Sequence, residues 1–265
     1  MGRAVWLIEH FRELWRHRVL ISSLVRREVT LRYRGSVLGY LWTLLNPLLL
    51  LSVYYLVFSQ FMRVVTVEHY AVFLFVGILP WLWLASSLNN GVLSIAIGGG
   101  LITRVCMPPQ VLPCVAVLSN LANFVFALPV VIAAAWLAGL APTPALLLLP
   151  LVLLVLLAFL YGLSLLAATL AVPFRDMQFL VQNAVTIWFF LTPIAYPFET
   201  LPEGWKPLLA VNPATALIHP FQRILYERGL PDPATLGLGT LWALGAIIAG
   251  VFVFERLRQR LVEEI

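Results

Sequence analysis

Charged side chains that could carry chemistry form two groups in this chain. The first is RREVTLRYR, residues 26 to 34, in which five of nine residues are charged and four are arginine. Such a belt attracts an anionic head group, because guanidinium groups pair with anionic oxygens. The second is the trio His219, Arg223 and Glu227, whose spacing of i, i+4 and i+8 places them on one face of a helix. The trio is typical of a salt-bridged surface helix or of a gate, and an acid beside a base could also serve a transferase.

Signatures of nucleotide, metal or cofactor chemistry are missing from the sequence. Lys206 is the only lysine and lies in EGWKP, so no G-x-x-x-x-G-K-[ST] loop can hold ATP phosphates. The histidines lack a metal-ligand spacing, and we expect His10 and His17 to lie on the polar face of the first helix. We therefore predict no catalytic residue, no metal site and no cofactor in this chain.

The composition indicates an integral membrane protein. The chain is 62% hydrophobic and 11% charged, with a mean hydropathy of +0.95, whereas a soluble domain is about 25% charged. Residues 35–62 hold 28 uncharged positions, which is enough to cross a hydrocarbon core of about 30 Å at about 1.5 Å per residue. Further spans are predicted at 69–97, twice within 105–174 around the turn GLAPTPA, at 177–198 and at 235–254. The predicted fold is an all-α membrane protein with six transmembrane helices.

The arginines and the lysine also predict the orientation. If both termini are cytoplasmic, the inner segments carry 13 of these residues and the outer segments carry four. The positive-inside rule favours this arrangement, and an even number of spans keeps both ends on one side. The domain boundaries follow: a cytoplasmic interface region at 1–34, a transmembrane domain at 35–254 with an external gate segment at about 198–232, and a cytoplasmic tail at 255–265.

Two function classes are disfavoured by where the charges lie. Binding to nucleic acid needs positive charge on a water-facing domain, which this chain lacks. The predicted spans contain no carboxylate and show no inverted repeat, which argues against a proton-driven transporter. The sequence therefore describes a passive path that depends on a separate energy source.

Three segments outside the spans have recognisable roles. Residues 4–21 alternate apolar and charged positions at helical spacing, which predicts an amphipathic helix in the plane of the cytoplasmic interface. The loop GGGLITRVCMPPQ, residues 98–110, carries Arg104 as its only charge and predicts a short helix that docks a cytosolic partner. The outer segment 197–234 has two short helical patterns punctuated by proline, which favours a re-entrant or interfacial hairpin.

Several blocks of sequence resemble one family of transporters. LRYRGSVLGYLWTLLNPLLLLSVYYLVFSQF, LPWLWLASSLNNGVLSI, FRDM, LTPIAY and NPATALIHPFQRILYERG are similar, in this order, to the membrane subunits of ABC exporters that carry O-antigen, capsule or teichoic acid. The resemblance implies a homodimer of six-span subunits in the bacterial cytoplasmic membrane. It also implies two cytosolic ATP-binding subunits, which would bind ATP and Mg²⁺, and a polyprenyl-pyrophosphate-linked polysaccharide as substrate.

The resemblance also implies roles for individual residues. Arg32 and Arg34 are candidates for binding the substrate head group. Candidates to line a channel with aromatic faces are Trp42, Tyr54, Trp188 and Phe190. Leu101, Arg104 and Met107 correspond to the helix that couples to the ATPase. The external gate would contain His219, Arg223, Tyr226 and Glu227.

Two alternative functions remain open from the sequence. A permease of the same general class could export a small hydrophobic compound or a lipid. A membrane-embedded glycan-modifying enzyme could use His219, Arg223 and Glu227.

Overall fold

The fold is helical throughout the part of the chain that the computed structural model describes, which is residues 3–57, 67–105 and 107–264. Short 3-10 turns at Gly39–Leu41, Pro144–Leu148 and Phe198–Thr200 join some of the helices. The helices in chain order are α1 Arg3–Arg16, α2 Arg18–Tyr33, α3 Trp42–Tyr55, α4 Tyr70–Val92, α5 Ser94–Val105, α6 Val111–Leu137, α7 Leu149–Ala171, α8 Met177–Phe190, α9 Lys206–Val211, α10 Pro213–Leu225 and α11 Pro233–Glu264. The predicted all-α class is confirmed.

Among the described residues, four helices are long and apolar enough to cross a membrane. They are Tyr70–Val92, Val111–Leu137, Pro144–Ala171 and Pro233–Arg258. The turn GLAPTPA separates the second from the third, as predicted, and α11 continues through the segment predicted to be a tail. These four helices correspond to four of the six predicted spans.

The other two predicted spans correspond to shorter helices. Helices α3 and α8 have 14 residues each, or about 21 Å of length. Residues 58–62 of the first predicted span lie outside the described residues. Helix α8 ends at Phe190, because Pro193 lacks the amide hydrogen that would continue the helical ladder.

The boundary between the predicted span at 69–97 and the glycine loop after it lies elsewhere in the structure. Helix α4 ends at Val92, and α5 begins at Ser94 and includes the three glycines. A Cβ added to Gly98 would lie 2.2 Å from Leu112 Cδ1. The glycine therefore allows α5 to pack closely on the start of α6. The predicted short helix is present, and it begins before the glycines.

Helix α4 lies at the centre of the bundle, with α6, α7 and α10 packed around it. Beside it, α7 and α11 approach each other through glycines. A Cβ on Gly162 would lie 2.4 Å from the Ala246 carbonyl carbon, and one on Gly250 would lie 2.3 Å from the Gly162 carbonyl oxygen. Small residues let two membrane helices pack backbone to backbone, which strengthens dispersion contacts.

The N-terminal region forms two helices that meet at His17 instead of one amphipathic helix. Its predicted apolar face is exposed, with Trp15 and Val19 each 70% accessible, as suits a surface in contact with lipid. The prediction for His10 is wrong: it is 1% exposed, and its Nε2 lies 2.5 Å from the Tyr161 hydroxyl. His10 is buried because α1 packs across α7 and α11, a contact that helical periodicity does not reveal.

Candidate functional site

A tight turn at residues 34–41 sets the geometry of the candidate site. Gly35 and Gly39 have φ values of 78° and 50°, a region that favours glycine because a Cβ would be strained there. The turn connects α2 to α3. It brings the Tyr33 and Tyr40 rings to a centroid distance of 5.1 Å, and the Trp42 indole donates to Ser36 Oγ at 3.1 Å.

Next to this turn, α2, α3, α4 and α6 enclose a cavity of about 340 Å³, which we call the polar chamber. Its apolar wall includes Leu79, Trp83 and Phe124. Its polar lining consists of Arg32, Tyr33, Trp42, Thr43, Asn46, Ser86, Asn120 and Asn123. No carboxylate lines the chamber among the residues described.

Arg32 reaches this chamber through a hydrogen-bond network with α6. Its Nη1 donates to Asn120 Oδ1 at 3.0 Å, and Asn90 Nδ2 lies 3.4 Å from the same oxygen. The Asn120 amide in turn donates to the Ala116 carbonyl at 2.9 Å. Asn120 is 3% exposed, so its partners fix its orientation and the position of the guanidinium.

Glu28 partly balances the charge of Arg32 from one turn earlier on α2. Its carboxylate lies 3.6 Å from Arg32 Nη2 and accepts from Ser119 Oγ at 3.3 Å. Burial raises the pKa of Glu28, and Arg32 and Ser119 oppose this shift. Arg32 keeps donors directed at the chamber, since its side chain is still 31% exposed.

The chamber is equipped for binding rather than for catalysis. It offers one guanidinium, three asparagine amides, hydroxyl groups and an indole face, which suit phosphate oxygens and sugar hydroxyls. The positions of Asn120 and Asn123 in the chamber lining were not predicted from the sequence. Uncharged polar residues spaced three apart in a membrane helix were the signal that could have found them.

Arg32 and Arg34, which we predicted as a pair, lie in different places. Arg34 lines a separate exposed cleft of about 490 Å³ together with Arg26 and Arg27. Residues two apart on a helix point in nearly opposite directions, because each step turns the helix by about 100°. Only Arg32 reaches the polar chamber.

The four predicted channel aromatics also lie in different surroundings. Trp42 lines the chamber, whereas Tyr54 stacks on Phe189 with centroids 5.3 Å apart. Trp188 donates its indole hydrogen to Asn212 at 2.6 Å and is half-buried. Phe190 is 63% exposed and is free to face lipid or another subunit.

Two of the three predicted coupling residues pack against α2 and α6. Met107 is 3% exposed and packs with Ile21 of α2 and Val111 of α6, and Leu101 is partly buried against the same cluster. Arg104 belongs to α5, and its side chain lies outside the described residues. Leu101 and Met107 therefore contact the chain's own helices, and their role in coupling stays a prediction.

Gln110 continues this connection from the coupling segment to α1 and α11. Its Nε2 donates to Glu13 at 2.6 Å, and Arg258 Nη2 donates to the same carboxylate at 3.0 Å. Gln110, at the end of the predicted coupling segment, is therefore linked to both terminal helices through Glu13.

The predicted external gate residues meet at the end of α10. Arg223 donates to Glu227, and the other oxygen of Glu227 lies 3.9 Å from His219 Nε2. Tyr226 donates to the Glu68 carbonyl at 2.5 Å. The helix ends at Leu225, so Glu227 folds back onto the face that the spacing predicted. The Glu227 carboxylate is already paired with the Arg223 guanidinium.

The body of α10 is buried within the bundle. Phe221 is 0% exposed, and its ring centroid lies 5.9 Å from that of Phe124, at the middle of α6. Asn212 caps α10 by accepting from the Ala214 amide at 3.0 Å, and it donates to the Leu191 carbonyl at 2.8 Å. This geometry supports a hairpin that enters the bundle and returns.

The sequence matches the family model described as ABC-2 type transporter over residues 19–226. The chain therefore belongs to the ABC-2 family of transporter membrane proteins. It is 40% identical over 267 residues to the O-antigen export system permease protein RfbA of Myxococcus xanthus, covering 98% of this chain and 100% of that protein. A protein of the same description from Klebsiella pneumoniae is 30% identical over 245 residues, with 92% and 94% covered. The predicted resemblance to export permeases is confirmed.

Proposed function

We propose that this chain is the membrane subunit of an ABC exporter that moves a lipid-linked polysaccharide, such as an O-antigen, out of the cytoplasm. The observation that carries the proposal is the polar chamber, where Arg32 and amide groups stand beside the Trp42 indole. A guanidinium suits a pyrophosphate, and amides with an aromatic face suit the sugars that follow it. The names of the relatives, both O-antigen export permeases, supply the polymer class.

The proposed topology has six spans with both termini in the cytoplasm of a bacterial inner membrane. Helices α3 and α8 would supply the two further spans. The distribution of arginine and lysine supports this orientation.

The proposed assembly is a homodimer with two cytosolic ATP-binding subunits. Helices α3 and α8 expose apolar side chains that a second copy would cover; these are Leu48, Leu49, Val53, Leu56, Phe179, Leu180, Ile187 and Phe190. Helix α5 would dock the ATPase, and Gln110 and Glu13 would carry its motion to α1. Nucleotide and Mg²⁺ would bind to the partner, which leaves this chain as the conduit.

The test reconstitutes the full chain with its ATP-binding subunit and measures ATPase stimulation by a lipid-linked polysaccharide. Arg32→Ala should abolish the stimulation, whereas Arg12→Ala, an exposed arginine on α1, should leave it intact. Unchanged stimulation in Arg32→Ala would reject the chamber as the head-group site. Stimulation only by small hydrophobic compounds would favour the alternative exporter.

A further inference from the structure

The face of α2 that points away from the polar chamber carries a second cluster of arginines. Arg26, Arg27 and Arg34 line a shallow, open depression that is formed by the residues of α2 and its C-terminal end alone, which we call the basic cleft. None of the three has a hydrogen bond or an ion pair with another residue in the described parts of the chain. Three cations within about two turns repel one another, so an anion in the cleft would relieve the repulsion.

An apolar groove of about 1020 Å³ adjoins the basic cleft. It runs between α2 and the first half of α6, and Val25, Leu118, Val125 and Phe126 form part of its walls. Arg26 and Thr30 line both the groove and the basic cleft. The two features are therefore continuous, with positive charge at one side and hydrocarbon at the other.

Helix α2 separates this composite site from the polar chamber. Contacts between α2 and α6 run in the same order along both helices, from Ile21 with Val111 to Tyr33 with Asn123. Arg32 faces the chamber, whereas Arg34 and Arg26 face the cleft. The two sites can therefore select different ligands.

We propose that the basic cleft and the apolar groove together bind an anionic phospholipid of the inner leaflet. The arginines would hold the phosphate through paired donors, and the acyl chains would fill the groove. The cleft favours an anionic lipid over a neutral one, because it has three arginines and no lining carboxylate among the described residues. The proposal rests on the proposed topology and is independent of the exported substrate.

The same lipid would have a structural consequence for the coupling segment. Ile21 lines the apolar groove and also packs on Met107, directly after α5. A bound lipid would thus support the helix on which the coupling segment rests.

The test measures phosphatidylglycerol retained by the full chain after transfer into nanodiscs that contain phosphatidylcholine and phosphatidylglycerol. Replacing Arg26, Arg27 and Arg34 together with glutamine should weaken retention by about fivefold per arginine. The matched control replaces Arg12, Arg16 and Arg175 with glutamine; all three are exposed, and the control removes the same net charge. Equal retention in the two triple variants would overturn the proposal.

A second variant tests the groove independently of charge. Val125→Trp fills the groove and should lower retention, whereas Ala133→Trp, at an exposed position of the same helix, should not. If Val125→Trp has no effect and inorganic phosphate displaces the lipid, the cleft binds a bare anion and the proposal fails.

The proposal also fails if the arginine variant loses ATPase stimulation by the polysaccharide but retains phosphatidylglycerol, because the cleft would then belong to the export substrate. Loss of lipid with stimulation intact supports the site, even if Arg32 proves not to bind the head group.

Discussion

The Arg32 guanidinium donates to Asn120 Oδ1 at 3.0 Å and thereby joins α2 to α6 at the wall of the polar chamber. The two residues are 88 positions apart in sequence. The bond fixes a cation beside the chamber while α2 keeps its other arginines on the opposite side. The position of α2 and the chemistry of the chamber therefore depend on the same contact.

Asn120→Leu should destabilise the protein. The change removes the acceptor of Arg32 and leaves the guanidinium without its partner on α6, at a cost of about 1 to 3 kcal/mol for a hydrogen bond to a charged group. Thermal unfolding in detergent measures the effect. Asn183→Leu, at an exposed position on α8, is the control, and an equal shift in both variants would contradict the role of the bond.

Gly162→Ala should weaken the packing of α7 against α11. The added Cβ would lie 2.4 Å from the backbone at Ala246, so the helices must separate and lose dispersion contacts, at a cost of about 1 to 3 kcal/mol. Gly245→Ala is the control, because a Cβ there has nothing within 4 Å. The melting temperature should fall only for Gly162→Ala; a fall in both would point to a general effect on the helices.

Stability should decrease as the pH falls from 6.5 towards 4, because of His10. Burial lowers the pKa of His10 from 6.5 to about 4, so below pH 6.5 the unfolded chain binds a proton that the folded chain rejects. The loss approaches about 3 kcal/mol. At neutral pH the ring is uncharged, and its 3.8 Å contact with Glu255 is not an ion pair.

Unfolding of the wild type and of His10→Gln, compared at pH 7 and pH 5, measures this effect. His10→Gln can keep a hydrogen bond to Tyr161 but cannot titrate, so it should lose part of the pH dependence. His17→Gln should retain it. An equal pH dependence in the wild type and in His10→Gln would refute the assignment.

Asn212→Ala should release the hairpin formed by α9 and α10. The residue caps α10 and accepts the Trp188 indole hydrogen at 2.6 Å, so its loss removes a helix cap, at about 1 kcal/mol, and leaves a polar group unpaired. Limited proteolysis at residues 201–208 should become faster than in the wild type. Gln182→Ala, an exposed change on α8, should leave the cleavage rate unchanged.

Much of the fold was predictable from local composition and pattern. Apolar stretches of sufficient length identified the four long helices, and the GLAPTPA turn marked where two of them are separated. The ion-pair trio was also predictable, since His219, Arg223 and Glu227 are near neighbours in sequence. These features depend on residues close along the chain, so periodicity and helix-breaking residues are sufficient to predict them.

The sequence by itself determined the membrane class, the family and the positions of the charged belts, because hydrophobic length and short motifs are properties of the chain alone. Helical rotation separates Arg32 from Arg34, but only the tertiary structure decided that Arg32 is the one that enters the polar chamber, and that His10 is buried. Each of these outcomes depends on which distant helix packs against α1 or α2. Such packing arises from shape and contact between segments more than 80 residues apart, and no local pattern encodes it.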